Sequence, residues 1–349
     1  MTSRPILNIN GALGEGGGQI LRTSLTLAAC LQQPISINNI RAGRKKPGLR
    51  LQHRACIDAA QQVCNAKVSG NEINSTQIEF IPGPIESGQY QFYTDTAAST
   101  TLIFQTVMPV LSLANRLSRI ELGGGTHNPL APSYEFLTKS FLQVIRKMGI
   151  CIDHQISAFG FFPAGKGVWQ ATISPRTTGI ALNLNQQGKI ISQKATVYHS
   201  LIPTHVAARE LAQIKKRLGW TGAQLAHHPA RSVGSGNLIS LAINFENLSV
   251  VFDAIGQKGI SAEKVADNVI KQYLNYVKST AVVDEYLADQ LMLPMALFNG
   301  GRFITASLSQ HAITNACIIN QFIPETITIT PLGMGLHQII VNGLNLQPG

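Results

Sequence analysis

Residues 6–33 read ILNINGALGEGGGQILRTSLTLAACLQQ, and the fold can be read outward from this stretch. Residues 6–10 alternate apolar and polar side chains, the period of a half-buried strand. Glycines then crowd residues 11–18 around a single carboxylate, Glu15. From Gln19 the apolar residues recur at helical spacing, so the stretch predicts a strand, a tight turn and a helix. Strand 35–40 (ISINNI), a Gly/Pro loop, helix 49–66 (LRLQHRACIDAAQQVCNA) and strand 76–81 (TQIEFI) complete a first unit.

The same order recurs. A second copy runs through strand 89–93, helix 99–115, strand 118–122, the loop 123–133 (GGGTHNPLAPS), helix 134–149 and strands 150–156 and 167–174. A third begins at 182–188 (LNLNQQG), breaks off, and resumes at 284–300 with DEYLADQLMLPMALFNG, strand 303–308, helix 310–322 and strands 326–330 and 337–343. Gln19 and Arg41, Gln105 and His127, and Asp289 and His311 are each 22 positions apart, a shared register within one or two residues. The pattern predicts an α/β chain of the α+β type: three βαβαββ-like units in a large domain (1–187 and 280–349), with a small α/β domain inserted at 188–279.

With 44% hydrophobic and 13% charged residues in 349, the chain is expected to fold around a large core. Twenty-eight Lys and Arg against 18 Asp and Glu leave a formal charge of +10, which suits an anionic partner. The excess is local. No carboxylate falls between Glu15 and Asp58, while RAGRKKPGLRLQHR (41–54) holds Arg41, Arg44, Lys45, Lys46, Arg50 and Arg54. Such a run suits phosphates. The five scattered cysteines form no CxxC pair, so neither a disulfide framework nor a zinc ribbon is indicated. Reduced thiols and a leader-free N-terminus lead us to expect a cytoplasmic protein. The apolar stretch 101–114 is interrupted by Gln105 and Pro109 and is too short for a bilayer, so no membrane association is expected.

The candidate chemistry is that of a phosphate site without the usual lysine. There is no GxxxxGK[ST], the GEGGGQ run misses GxGxxG, and HExxH and Lys-x-Asp-Gly are missing. Backbone N–H groups opening a helix favour an anion. Glu15 has the wrong sign to bind phosphate directly, but fits if a divalent ion lies between them, since Mg²⁺ takes one or two carboxylates plus phosphate oxygens. Arg22, on the following helix, is placed to clamp a second phosphate. In SLSQHAITN (307–315), His311 opens a helix behind Ser309, a candidate N-cap. A helix N-terminus disfavours imidazolium, leaving a lone pair able to attack phosphorus. In YLADQ (286–290), Tyr286 can stack on a purine and Asp289 or Gln290 can bond base or ribose.

Taken together, LGEGGGQILR, IRAGRKKPGL, the GGGTHNPLAPS loop, EYLADQLMLPMAL and SQHAITN resemble the RNA 3′-terminal phosphate cyclase family, in the same order along nearly the whole chain. The resemblance implies ATP as co-substrate with Mg²⁺ or Mn²⁺, RNA ending in a 3′-phosphate as substrate, and an adenylylated histidine as intermediate. By motif it implies His311 as nucleophile and Glu15 as the metal ligand. Gln105, Pro132, Phe136, Tyr286, Leu287, Ala288, Asp289 and Gln290 are assigned to the nucleotide site, and Arg22, Arg41, Arg44 and Gln52 to the RNA end. Two other readings use related scaffolds: a non-catalytic ribosome-assembly relative and an enolpyruvyl transferase. A homodimer is compatible with all of this, and the sequence does not fix the oligomeric state.

Overall fold

The computed structural model describes residues 4–14 and 16–349. The first unit comprises β1 (Leu7–Asn10), α1 (Gly18–Leu31), β2 (Ile35–Asn38), α2 (Leu51–Val63), β3 (Lys67–Ser69) and β4 (Ile78–Ile81). Its sheet has the order β1-β2-β4-β3, with β1 and β2 parallel and the other neighbours antiparallel. The second unit comprises β5 (Gln89–Tyr93), α3 (Thr100–Ser112), β6 (Ser118–Gly124), α4 (Tyr134–Phe136), a π-helical turn (Leu137–Phe141), α5 (Leu142–Ile145), β7 (Ile152–Ala158) and β8 (Gly167–Ile173). Its order, β5-β6-β8-β7, repeats the first with the same directions.

The third unit starts with β9 (Leu182–Leu184). The chain then forms β10 (Ile190–Ser200), α6 (Thr204–Leu218), β11 (Leu225–Pro229), β12 (Gly236–Phe245), β13 (Ser249–Ile255) and α7 (Ala262–Ser279). It returns through α8 (Glu285–Leu297), β14 (Gly301–Thr305), α9 (Gln310–Phe322), β15 (Ile327–Gly333) and β16 (Leu336–Val341). Read from β9, the third sheet is β9-β14-β16-β15, again one parallel pair followed by two antiparallel pairs. The three expected units therefore share one topology, although a long excursion separates β9 from its own helix.

That excursion builds a fourth sheet, β11-β10-β12-β13. Its inward-alternating residues (Ala195, Val197, Ile239, Leu241, Ile243, Val250, Phe252) are fully or nearly fully buried, and α6 and α7 pack against it. The opposite face lies on the segment 133–141. Ser133 donates to Asp253, Lys139 to the Tyr198 hydroxyl at 2.5 Å, and the Ser140 hydroxyl to the Ser249 carbonyl at 2.7 Å.

Helices α1, α3, α8 and α9 pack together between the sheets, which explains why α1 is buried around most of its circumference rather than along one stripe. Pro109 in α3 and Pro294 in α8 stand inside their helices, four residues after Gln105 and Gln290 respectively. Among the described residues, no helix is long and apolar enough to cross a membrane.

Candidate active site

The glycine loop and the His311 helix meet. Gly14 and Gly16 hold φ of 58° and 57°, a region open to glycine at no steric cost. A Cβ at Gly14 would overlap the Thr314 hydroxyl, on the second turn of α9. Two further bonds fix α9 in place: Thr23 donates to Asn315 Oδ1 at 2.7 Å, and Asn315 Nδ2 donates to the Asp289 carbonyl at 2.9 Å. Ser309 caps α9, its hydroxyl accepting the Ala312 amide at 3.1 Å. His311 is exposed in the turn that follows. Chain segments almost 300 residues apart in sequence thus converge where α1 and α9 begin.

Cationic groups gather at the start of α1. Its N-cap, Gly17, supplies no side-chain acceptor to the first amides, so their partial positive charge faces outward. A Cβ on Gly18 would stand 2.7 Å from His53 Nε2 and 2.9 Å from Arg22 Nη1, so both groups close over this first residue of the helix. Burial and the nearby Arg22, Arg41 and Arg50 push the His53 pKa down to about 3. His53 Nδ1 accepts the Arg50 amide at 3.0 Å, which leaves Nε2 as the protonated nitrogen of the neutral ring. His53 therefore offers an N–H donor without a formal charge. The Arg41 pKa is lowered by burial and then by Arg50 and Arg44. Its backbone is left-handed at φ 56°, an uncommon setting for a non-glycine residue and one found at ligand-holding sites. A surrounding with this many positive groups favours an anionic ligand.

Gln52, assigned to the RNA end by motif, has another engagement. Its Oε1 accepts the Ser99 amide at 2.5 Å and its Nε2 donates to the Ser99 carbonyl at 3.2 Å. Both ends of its amide thereby tie α2 to the residue that caps α3. Arg22 also donates to Gln19 Oε1 at 2.7 Å.

The nucleotide candidates divide into two groups. Gln105, Asp289 and Gln290 line one narrow cleft with Gln19, Arg22 and Asn315. Its space is only about 40 Å³, room for very little water. Gln105 donates across it to Gln290 Oε1 at 2.5 Å, and Gln290 donates to Asp289 at 3.0 Å. Pro132, Phe136, Tyr286, Leu287 and Ala288 are not among its lining residues. Leu287 and Ala288 are fully buried in the core, and their amides are taken by the Asp284 side chain and carbonyl. Tyr286 is about half exposed. Phe136 is buried, its amide held by Ser133 at 2.9 Å, and the Pro132 carbonyl accepts from Thr101 at 2.7 Å.

Glu15, the metal-ligand candidate, lies outside the described residues. Among those described, no group of three or more His, Cys, Asp or Glu is placed to hold a metal ion. One carboxylate plus phosphate oxygens still meets the needs of Mg²⁺ arriving with a triphosphate.

Sequence reasoning missed His53, Thr23 and Asn315. His53 had a signal, a histidine between basic residues in RLQHR on a predicted helix. Thr23 and Asn315 had none, because their pairing spans 292 positions.

A solved structure, the enolpyruvyl transferase NikO from Streptomyces tendae, aligns over 99% of this chain and 51% of its own, at 9% sequence identity and a TM-score of 0.39. The family model for RNA 3′-terminal phosphate cyclases matches residues 13–329. That span takes in the glycine loop, the basic run and the His311 helix, and the chain belongs to the RNA 3′-terminal phosphate cyclase family.

Proposed function

We propose that the protein converts an RNA 3′-terminal phosphate into a 2′,3′-cyclic phosphate at the expense of ATP. A ring nitrogen of His311 attacks the α-phosphorus of ATP; the bond to the β-phosphate bridging oxygen breaks and pyrophosphate leaves, with AMP now on nitrogen. A 3′-phosphate oxygen of the RNA then attacks the same phosphorus, the N–P bond breaks, and an RNA–adenylate anhydride forms. Finally the vicinal 2′-hydroxyl attacks the terminal RNA phosphorus, loses its proton and expels AMP. The ribose already holds that hydroxyl beside the phosphorus, so the last step needs alignment and little else. Adenylylation is required because a phosphate dianion is a poor electrophile with no good leaving group.

The observation that carries this reading is the meeting of the glycine loop with α9. Thr314, three residues after the exposed His311, lies against Gly14, and His53 and Arg22 close over Gly18 at the start of α1; both support the reading. In this reading the arginines and the first amides of α1 hold phosphate oxygens and neutralise the charge developing on them. Gln105, Asp289 and Gln290 contact the nucleotide, which requires the Gln105–Gln290 bond to open. A divalent cation held by Glu15 would withdraw charge from the triphosphate.

Incubation with α-labelled ATP and Mg²⁺ tests the proposal. A cyclase retains acid-labile label on the protein and passes it to a 3′-phosphorylated RNA. A non-catalytic relative or an enolpyruvyl transferase retains none.

A further inference from the structure

Beside the arginine cluster lies a second, larger cleft that the reaction above does not use. It is bounded by the start of α2, the loop before α3 and the loop after β6, and has a volume of about 650 Å³. That is within the range of about 300–1,000 Å³ typical of ligand sites. Three side chains on its walls are apolar and exposed: Leu51, Leu130 and Phe162, at 54%, 104% and 55%. Leu130 is held with φ at 62°, a strained setting for a large apolar residue that gains nothing from burial. Two polar atoms among the lining residues, Arg50 Nε and Asn128 Oδ1, are buried and have no hydrogen-bond partner among the described residues. The other end of each group is fixed: Arg50 Nη1 donates to Asn74 at 2.6 Å, and Asn128 Nδ2 donates to the Ala97 carbonyl. Arg50 and Asn128 therefore each keep one unsatisfied polar atom behind the cleft wall.

We propose that this cleft receives one unpaired nucleobase of the RNA, next to its 3′-phosphate end. The idea rests on the cyclase reading and goes beyond it by assigning a base-binding site. A base has an apolar face for Phe162 and Leu51 and a polar edge that the Arg50 and Asn128 side chains can meet by turning out of the cleft wall. Charge favours nucleic acid over an apolar peptide. Arg50 lines the cleft and also bears electrostatically on His53 and Arg41, so a strand whose terminal phosphate lies at the start of α1 passes Arg50 on its way into the cleft. Every base has a stackable face, so the site discriminates single-stranded from paired ends more than it reads sequence.

The test uses single-stranded RNAs with a 3′-phosphate and one abasic nucleotide at each of the last three positions in turn. Cyclisation KM and equilibrium binding by fluorescence anisotropy are measured for the wild-type protein, Phe162→Ala and Leu130→Ala, with self-adenylylation in the absence of RNA as the control. One abasic position is expected to raise KM and Kd about tenfold in the wild type, within the range of stacking one base. Phe162→Ala should weaken fully based RNA by a similar factor, lose the abasic penalty and self-adenylylate normally. Equal binding of all RNAs by the wild type, or an unchanged Kd in Phe162→Ala, overturns the proposal. If the wild type neither self-adenylylates nor cyclises, the cyclase reading fails, and the anisotropy series alone decides the cleft by the same criteria. Self-association of the wild type that Phe162→Ala abolishes, without base dependence, assigns the cleft to a second copy of the chain and also overturns it.

Discussion

His127 and His311 share a 22-residue spacing from Gln105 and Asp289, yet His127 lies in the loop three residues past β6 and His311 in the first turn of α9, and their surroundings are opposite. His127 is fully buried, packed against Phe159 and Phe161 at ring-centroid distances of 5.0 and 5.1 Å. Both of its nitrogens are engaged, Nδ1 with the Thr126 hydroxyl at 2.7 Å and Nε2 with Glu135 at 2.5 Å. Burial pushes the Glu135 carboxyl up, and its interaction with His127, helped by Lys139, more than reverses this and holds it below the usual range. His311 is exposed at the start of a capped helix. At the same spacing in the first unit stands Arg41, in a left-handed backbone and close to Arg50 and Arg44. One sequence spacing thus leads to a core strut, a nucleophile candidate and a phosphate-clamp candidate, each set by its own surroundings. A histidine near a loop is not by itself chemistry; burial decides whether a ligand can reach it.

The sharpest way to break the comparison is to remove each ring. His311→Ala is expected to lower protein labelling from α-labelled ATP by at least about 1,000-fold, as loss of a nucleophile does, with an unchanged melting temperature. Full labelling of that variant would falsify the nucleophile assignment. His127→Ala should do the reverse. A carboxylate left buried without its partner costs about 3–5 kcal/mol, visible in denaturant unfolding, while label per folded molecule is retained. If the two variants exchange these phenotypes, the comparison has been read backwards.

Next in size is the third member of the set. Arg41→Ala or Arg44→Ala should slow transfer of AMP to a 3′-phosphorylated RNA by about 10- to 100-fold, the loss of one charge-assisted phosphate contact. Self-adenylylation should change by less than about threefold in the same measurement. Equal losses in both half-reactions would place these arginines on the ATP phosphates instead.

How much of this arrangement is written locally explains what could be read from the sequence. The three units were legible because strand alternation, glycine turns and helical spacing are short-range signals, repeated three times. The excursion after β9 was legible as an interruption of that repeat. β11 was not, because Leu225–Pro229 is a short, mostly exposed stretch at a sheet edge and lacks an apolar alternation. Side-chain commitments were hidden for a different reason. Nothing near Gln52 shows that Ser99 takes both ends of its amide, and Leu287 and Ala288 look available in YLADQ until the packing of α8 buries them. Motif position gives an address; the partners that long-range packing brings decide the use.

A pH effect is confined to the cationic side of the comparison. The folded-state pKa of His53, about 3, lies below its ordinary value of 6.5. The unfolded chain therefore takes up the proton first as pH falls. Stability is full above pH 6.5 and declines toward pH 3, by at most about 1.4 kcal/mol per pH unit. His53→Gln should flatten this part of the stability profile in denaturant titrations between pH 4 and 6.5. An unchanged slope would show that other groups carry the acid sensitivity.

The finest probe concerns what holds His311 where it is. Asn315 stands four residues further on, on the same face of α9, fixed by Thr23 on one side and the Asp289 carbonyl on the other. Thr23→Val keeps the shape of the side chain but removes the donor, leaving the buried Asn315 Oδ1 unpaired at a cost of about 1–3 kcal/mol. If this pair braces α9 against α1, the label acquired at saturating ATP should accumulate several times more slowly, while the buried His127 contacts remain as they are. A drop in stability with no change in the adenylylation rate would mean that the glycine loop, through its contact with Thr314, holds the helix start without help from Asn315.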